Sequence, residues 1–415
     1  MRVAIVGGGA AGLSSARHLI ENGHECEIFE MSPQIGGTWL YTDDIETDKY
    51  GFPVYSAMYQ GLRTNLPKEV MGFPDFPIPD QEKSYITQEE ILDYLNQYVK
   101  HFKLENIIRT NHIVTDVRPL ESNLWEMTAI NKPTNTKVIK QFESVMVCNG
   151  HFNEPRLPHI QGQEKFKGFI IHSRKYRSKK PFSKLKVLVV GAGPSGVDIA
   201  LDLCEVAEKV VLSHHVEEVR SIKYVEQKPD IRCILDESTV EFVDGSCCSF
   251  DCIIFCTGFK YSFPFLHESC GITVTDNHIE PLYKHMIHIE TPTLCFIGIP
   301  FAVCAFQMFD LQVRFYCKYL NGSMKLPTKE IMRLDTELDM KTRWERGYTR
   351  KLAHMLGPDQ QKYYDGLASM SNSSFIPPVL VKLRDDSMKY RLEDLHNFRE
   401  NIFKIQDNVT YIRIK

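Results

Sequence analysis

The feature that most constrains how this chain folds is a pair of glycine-rich loops, each placed after a short apolar run. Residues 3–6 form the first apolar run, and the second lies in residues 186–190, which are apolar after Lys186. In both places three glycines follow in the spacing Gly-x-Gly-x-x-Gly, and a helical pattern follows the glycines. A strand, a tight loop and a helix in this order predict a nucleotide-binding βαβ unit. A chain of 415 residues has room for two such units.

The first loop predicts a dinucleotide site. Gly7 permits the tight turn, Gly9 lets backbone amides approach a pyrophosphate at the helix N-terminus, and Gly12 lets the helix pack on the strand. Glu30 follows the next predicted strand, residues 25–29, and lies 23 positions past Gly7, where an acid that binds ribose hydroxyls is expected. A tight turn without a ligand is the alternative. The expected loop contacts are Gly7, Gly9, Ala10, Ala11 and Gly12.

A second glycine pair extends this predicted site. Gly36 and Gly37 follow Glu30 closely and would bring the backbone near a further part of the ligand. A ligand that extends beyond one nucleotide half favours FAD over NAD. We therefore expect FAD to be the bound cofactor, with Trp39 either packed on the flavin or filling the core. The expected contacts are Glu30, Gly37, Thr38 and Trp39.

The second loop predicts a nicotinamide nucleotide. The strand expected over residues 209–212 ends in Ser213 and His214 instead of an acid. An acid would repel a 2′-phosphate, whereas serine and histidine can hydrogen-bond one, so the sequence favours NADPH over NADH. Arg220 or Lys223 are alternative phosphate contacts, and the histidine could simply be solvated. The expected contacts are Gly191, Gly193, Pro194, Ser195, Gly196, Ser213 and His214.

Several further segments resemble the flavin-containing monooxygenases. Residues 166–177 fit the family pattern Phe-x-Gly-x3-His-x3-Tyr-Arg, and residues 30–39 fit its Glu-x5-Gly-Gly-x-Trp pattern. Residues 62–67 look like its Thr-Asn segment, while residues 255–259 and 310–315 resemble two more of its segments with substitutions. The chain ends without the apolar tail of the family's membrane-bound members. It looks closer to the soluble insect branch, which includes pyrrolizidine-alkaloid (senecionine) N-oxygenases.

This resemblance implies an activity. NADPH would reduce FAD, O2 would add to form a C4a-hydroperoxyflavin, and retained NADP+ would protect it until a nucleophilic nitrogen or sulfur takes up oxygen. The expected partners are O2 and a small molecule, namely a tertiary amine such as a pyrrolizidine alkaloid, or a sulfide. The resemblance implies that Asn65 is catalytic, beside the flavin and the nicotinamide; a turn cap before Pro67 is the alternative. It also implies cofactor contacts by Thr64, Asn65, Leu66 and Gln312.

The predicted fold class is α/β, with two Rossmann-like dinucleotide-binding domains and the NADPH domain inserted into the FAD domain. Residues 1–160 are expected to form the first part of the FAD domain. Residues 161–289 would form the NADPH domain. Residues 290–415 would complete the FAD domain and add C-terminal helices. Each domain is expected to be a parallel sheet with helices on both faces.

Composition excludes several classes of protein. The net charge is −4, so no basic excess favours nucleic-acid binding. No apolar run approaches the roughly 18–20 residues of a membrane span, so no membrane anchor is expected. No leader precedes residues 3–6, which favours a cytoplasmic location, although a processed secreted chain would look the same. Whether the chain forms a homo-oligomer is left open.

The twelve cysteines do not predict a metal site. Cys247, Cys248, Cys252 and Cys256 cluster, but residues 252–256 resemble a buried strand, in which cysteines act as small apolar side chains. We therefore expect no metal.

Three rival functions share the two-loop plan. A disulfide reductase needs a redox cysteine pair, and the sequence contains no Cys-x-x-Cys. A Baeyer–Villiger monooxygenase would carry Trp followed by Pro or Asp where this chain has Tyr176 and Arg177. A non-catalytic flavin or NADP redox sensor is opposed only by the intact segment around Asn65.

Overall fold

The computed structural model describes residues 1–216 and 222–415, which contain seven α-helices. Two helix starts follow directly from sequence. Thr87 and Glu90 form a capping box, in which each side chain accepts the backbone N–H of the other residue. Thr328 accepts the N–H of Ile331 at another start. The helices are α1 (Ala10–Glu21), α2 (Gln88–His101), α3 (Pro194–Leu203), α4 (Ala305–Leu320), α5 (Lys329–Glu345), α6 (Gln360–Ser371) and α7 (Pro378–Glu393).

The first large sheet has seven strands among the described residues, and five of them are parallel. The strand Arg2–Val6 has a parallel neighbour on either side. Val3 and Ile5 pack into one buried cluster, while Ala4 and Val6 pack into a second, so both faces of the sheet are covered. In spatial order the strands are Leu282–Tyr283, Ile287–His288, Leu294–Phe296, Ser144–Val147, Arg2–Val6, Glu25–Phe29 and Ile108–Arg109.

The second large sheet has five strands among the described residues, all parallel. Its central strand, Lys186–Val190, is apolar on both faces: Val187 and Val189 join one buried cluster and Leu188 joins another. In spatial order the strands are Glu226–Lys228, Lys209–Ser213, Lys186–Val190, Cys252–Phe255 and Phe169–His172.

Both nucleotide folds contain the same crossover. A three-stranded antiparallel sheet precedes a strand that lies beside the first strand of its own fold. These returning strands are Ser144–Val147 and Cys252–Phe255. The crossover strands are His112–Pro119, Trp125–Asn131 and Thr136–Phe142 in the first fold, and Ile231–Ile234, Thr239–Phe242 and Cys247–Ser249 in the second.

The chain passes between the two large sheets through a short ribbon. Glu154–Pro155, on the outgoing passage, pairs antiparallel with Phe259–Lys260 on the returning passage. The first sheet already includes the strands Leu282–Tyr283 and Ile287–His288. Both lie before residue 289, the predicted end of the NADPH domain. The division into domains stays a prediction, and the strand pairing favours a return nearer Phe259.

The remaining short strands also pair locally. Thr273–Thr275 pairs with His278–Glu280, and Phe403–Ile405 pairs with Tyr411–Arg413 near the end of the chain. The predicted fold class is confirmed, with two Rossmann-type folds of which the second is inserted into the first.

The described residues include no helix long and apolar enough to cross a bilayer. Nor do they bring together three or more His, Cys, Asp or Glu side chains that could hold a metal ion. Cys252 and Cys256 are buried, in and directly after the strand Cys252–Phe255.

Candidate functional site

The two glycine loops have the same geometry. Gly7 has φ +108° and Gly191 has φ +102°, a region that L side chains rarely adopt. A Cβ would lie 2.5 Å from the Cys148 carbonyl oxygen at Gly7, and 2.7 Å from the Cys256 carbonyl oxygen at Gly191. The third glycine of each loop, Gly12 or Gly196, cannot carry a side chain either, because a Cβ there would overlap the carbonyl oxygen of the first glycine.

Both loops lead into a helix whose first turn is free of side-chain caps. The N-caps of α1 and α3 are Gly9 and Gly193, and no side chain of the described residues caps either. The first-turn N–H groups are therefore available to an anion, which the helix dipole also favours. Ala10 and Ala11 are buried at the start of α1, whereas Pro194 and Ser195 are exposed at the start of α3.

Glu30 lies against the first loop and hydrogen-bonds to its backbone. It follows the strand Glu25–Phe29 and is 5% exposed. One carboxylate oxygen accepts the N–H of Gly8 at 2.6 Å, and the other accepts the N–H of Ser32 at 2.7 Å. The acid is therefore held at the loop by two charge-assisted hydrogen bonds.

The second glycine pair lies directly against the first loop. The Gly36 N–H donates to the Gly8 carbonyl at 3.1 Å. A Cβ on Gly37 would lie 3.0 Å from the α-carbon of Gly9. Gly37 and Thr38 are exposed, and Trp39 is half-buried against the main hydrophobic cluster. The two glycine segments are thus in direct backbone contact, with no side chain between Gly9 and Gly37.

Asn65 lies in an anchored segment with a free amide. Thr64 is buried, donates its N–H to the Ile86 carbonyl at 2.8 Å and accepts the Ile86 N–H at 3.2 Å. Asn65 is half-buried, and its amide makes no hydrogen bond within residues 1–216 and 222–415. Leu66 packs against the main cluster. Because the Asn65 amide makes no hydrogen bond among the described residues, the alternative of a turn-capping Asn65 is not observed.

Gln312 lies deep in helix α4 and is fully buried. Its amide oxygen accepts the Gly298 N–H at 3.0 Å, and its amide nitrogen donates to the Tyr363 hydroxyl at 2.8 Å. Both ends of the amide thus have partners inside the protein. A direct contact with FAD stays a prediction.

The residues expected at the 2′-phosphate also have internal partners. The buried Ser213 hydroxyl donates to the Pro229 carbonyl at 2.8 Å. His214 accepts the Val216 N–H on Nδ1 and lies 3.0 Å from the Gln227 amide oxygen through Nε2. Lys223 is exposed. Arg220 lies outside the described residues.

The family comparison settles what kind of protein contains this pair of sites. A model of the FMO-like family, described as flavin-binding monooxygenase-like, matches residues 1–222 and 221–389. The chain belongs to the FMO-like family. It is therefore a flavin-dependent monooxygenase, and the resemblance drawn from its motifs is confirmed.

Relatives of this FMO-like protein align over nearly all of it. Senecionine N-oxygenase of Tyria jacobaeae is 34% identical over 416 residues, covering 97% of this chain and 90% of the relative. The structure of S-allyl-L-cysteine S-oxygenase from Allium sativum has a TM-score of 0.90 at 33% identity, covering 96% of this chain and 94% of that one. Tmm from Pelagibacter sp. strain HTCC7211 has a TM-score of 0.88 at 26% identity, covering 97% and 94%.

The motif over residues 166–177 orders the connection between the two folds of this FMO-like chain. His172 accepts the Arg174 N–H and lies 3.0 Å from the Gly258 carbonyl, and burial lowers its pKa to about 4. The Tyr176 hydroxyl donates to Asp202 of α3 at 2.6 Å. The Arg177 guanidinium donates to four backbone carbonyls, those of Arg174, Tyr176, Asp44 and Ser56. These contacts are structural.

Sequence reasoning missed Arg399, which contacts the Asn65 segment from the C-terminal region of this FMO-like chain. Its Nε donates to the Thr64 carbonyl at 3.0 Å, across 335 residues of sequence. No motif signals this contact, because the acceptor is a backbone carbonyl that any residue could supply.

Proposed function

We propose that this protein is an NADPH- and FAD-dependent monooxygenase that oxygenates a nucleophilic nitrogen or sulfur. The observation that carries the proposal is the free amide of Asn65, on a segment anchored to the Ile86 backbone, in a chain that also has two glycine loops of matching geometry. Family membership supplies the flavin and the reaction type.

The first loop is the proposed FAD site. Its residues fit a dinucleotide, because α1 offers uncapped first-turn amides and Glu30 is held at the loop by two backbone amides. The close approach of Gly9 and Gly37 leaves a surface without side chains for the extended part of the cofactor. When bound, FAD supplies the two-electron chemistry that links NADPH to O2. The proposed contacts are Gly7, Gly9, Ala10, Ala11, Gly12, Glu30, Gly37, Thr38, Trp39, Thr64, Asn65, Leu66 and Gln312.

The second loop is the proposed NADPH site. The exposed start of α3 and its glycine N-cap suit a pyrophosphate. The strand Lys209–Ser213 ends without an acid, which supports a 2′-phosphorylated cofactor. His214 is the stronger candidate for the phosphate, since it could exchange Gln227 for a phosphate oxygen while the Ser213 hydroxyl is committed to Pro229. The other proposed contacts are Gly191, Gly193, Pro194, Ser195 and Gly196.

Asn65 would orient ligand groups and take no proton. Its amide has two N–H donors and one acceptor oxygen, and none of them bonds to another group of the described residues. Fixed donors of this kind stabilise developing negative charge without reorganisation. The substrate supplies the nucleophile, so the protein needs only to hold it and to exclude water.

The proposed substrates are tertiary amines, with pyrrolizidine alkaloids as the leading class. The Tyria jacobaeae relative, a senecionine N-oxygenase, supports nitrogen as the atom that is oxygenated. The S-allyl-L-cysteine S-oxygenase structure supports sulfides as the second class. A cytoplasmic location is also proposed, because all twelve cysteines are free of disulfide bonds.

The test supplies the purified protein with FAD, NADPH and 18O2, together with senecionine, a trialkylamine, a dialkyl sulfide, a cyclic ketone or a disulfide. We expect NADPH-dependent addition of one labelled oxygen atom to an amine or a sulfide, measured by mass spectrometry. A lactone from the ketone would favour the Baeyer–Villiger alternative, and thiols from the disulfide would favour the reductase. Flavin reduction without turnover of any compound would favour the redox sensor.

A further inference from the structure

Arg399 joins three segments that are far apart in the sequence. It belongs to the short 3-10 helix Phe398–Glu400, beyond α7. Besides the bond from Nε to the Thr64 carbonyl, Nη2 donates to the Arg63 carbonyl at 3.3 Å and to Asp198 Oδ2 at 2.6 Å. One guanidinium thus links the C-terminal region, the Asn65 segment and helix α3.

The link to the Asn65 segment is reciprocal. Arg63 Nη2 donates back to the Arg399 carbonyl at 3.1 Å and also to the Tyr85 carbonyl at 3.0 Å. Arg63 Nη1 lies 3.2 Å from Glu400 Oε1. The two arginines therefore hold each other's backbone, which fixes both segments more firmly than a single side-chain contact would.

The link to α3 lies just beyond the second glycine loop. Asp198 is one turn into α3; its Oδ1 is buried without a hydrogen-bond partner among the described residues, so the pair with Arg399 is what holds the carboxylate. From the same side Arg391, which is 4% exposed, approaches the Pro194 carbonyl at 3.5 Å. The Phe398 ring lies 4.6 Å from the Arg399 guanidinium. The C-terminal region thus packs on the first turns of α3.

We propose that Arg399 is a positioning residue that fixes the Asn65 segment relative to α3 and thereby keeps Asn65 in register with a nucleotide at the second loop. This inference rests on the proposed function, since it concerns what Asn65 orients. The planar fork of arginine reaches three acceptors in three directions, whereas lysine presents one compact charge on a flexible stem. Lysine at position 399 would therefore keep the charge and lose part of the link.

The first experiment needs no turnover. It measures hydrogen–deuterium exchange of the full chain without nucleotide, for wild type, Arg399→Lys and Asp198→Asn. The control is Arg413→Lys, another arginine of the C-terminal region, which stacks on Tyr390 at 4.5 Å. We expect the Thr64 amide, which donates to the Ile86 carbonyl, to exchange about tenfold faster in Arg399→Lys and Asp198→Asn, with α2 unchanged. Unchanged exchange of the Thr64 amide would overturn the proposal.

The second experiment measures product formed per NADPH oxidised, a ratio that does not depend on how much enzyme is folded. For Arg399→Lys and Asp198→Asn we expect this ratio to fall at least about threefold, with H2O2 released instead, while NADPH oxidation changes less than about twofold. Faster exchange with an unchanged ratio would show that Arg399 only stabilises the fold, and would overturn its positioning role. If Arg399→Lys fails to fold, the nearly isosteric Asp198→Asn decides. If the wild type forms no product, the proposed function fails, and exchange still tests the link.

Discussion

The α-carbons of Gly9 and Gly37 face each other across the first loop. A Cβ on Gly37 would lie 3.0 Å from the Gly9 α-carbon, and a Cβ on Gly9 would lie 3.4 Å from the Gly37 α-carbon. Gly9 caps helix α1, and Gly37 begins a short 3-10 helix that ends at Trp39. The contact therefore couples the two parts of the proposed FAD site.

Gly37→Ala should reduce flavin content. The new methyl group would press on Gly9, and φ at this position is +56°, so the loop must move as well as accept strain of about 1 kcal/mol. We expect less than about half of the wild-type flavin per chain, measured from absorbance at 450 and 280 nm. Gly347→Ala is the matched control, because φ there is +83° and nothing lies within 4 Å. Equal flavin content in both variants would contradict the assignment.

Asn65→Ala should separate NADPH use from oxygenation. Removing the amide takes away the donors proposed to hold ligand groups, while both glycine loops stay intact. We expect NADPH oxidation to continue, product per NADPH to fall about tenfold or more, and H2O2 to account for the difference. Asn96→Ala is a suitable control, since Asn96 is also half-buried and bonds only within α2. An unchanged ratio in Asn65→Ala would remove this residue from the mechanism.

Ser213→Ala and His214→Ala should differ in their effect on cofactor preference. The Ser213 hydroxyl is committed to the Pro229 carbonyl, so its loss should change the ratio of kcat/KM for NADPH to that for NADH by less than about twofold. His214→Ala should lower that ratio about tenfold, if its imidazole binds the 2′-phosphate. Steady-state kinetics with both nucleotides measures the effect. An equal fall in both variants would restore Ser213 as a phosphate contact.

His18→Gln should destabilise the protein in a pH-dependent way. Burial disfavours the charged ring, but hydrogen bonds to Asp310, at 2.6 Å, and to Glu21 raise the pKa of His18. Burial alone would raise the pKa of Asp310, but the hydrogen bond from His18 outweighs it, so the pKa of Asp310 is lowered. His18 contributes stability fully below its unfolded pKa of about 6.5, and this is lost as pH rises through the raised folded pKa. The stability that Asp310 contributes is present above about pH 4, its unfolded pKa, and is lost as pH falls through the lowered folded pKa.

The difference in unfolding free energy between wild type and His18→Gln should therefore be about 3 kcal/mol near pH 5–6 and should shrink as the pH is raised. Urea titrations at several pH values measure it. His159→Gln, at an exposed histidine, controls for loss of an imidazole elsewhere. A difference that grows with rising pH would contradict the charged His18–Asp310 pair.

The local parts of both sites could be predicted from sequence, because each depends on short-range rules. Strand, glycine spacing and the following helix fix the loops, and Glu30 follows from the same rules, whereas Asn65 is predicted only from the resemblance to the family. Contacts across the fold could not be predicted. Gln312 has partners on both ends of its amide, the Ser213 hydroxyl turns inward, and Arg399 bonds to the backbone of Arg63 and Thr64. Only three-dimensional packing determines which acceptor a long or buried side chain meets.

The chain enters and leaves the inserted fold at the ribbon of Glu154–Pro155 and Phe259–Lys260. Because its entrance and exit lie side by side, the whole second fold could in principle be exchanged for one of different coenzyme preference with both splice points at this ribbon. The first sheet would keep all its strands in such a chimera. Arg177, which donates to the carbonyls of Asp44 and Ser56, and Asp198, which pairs with Arg399, would be the parts of the graft that have to match the host.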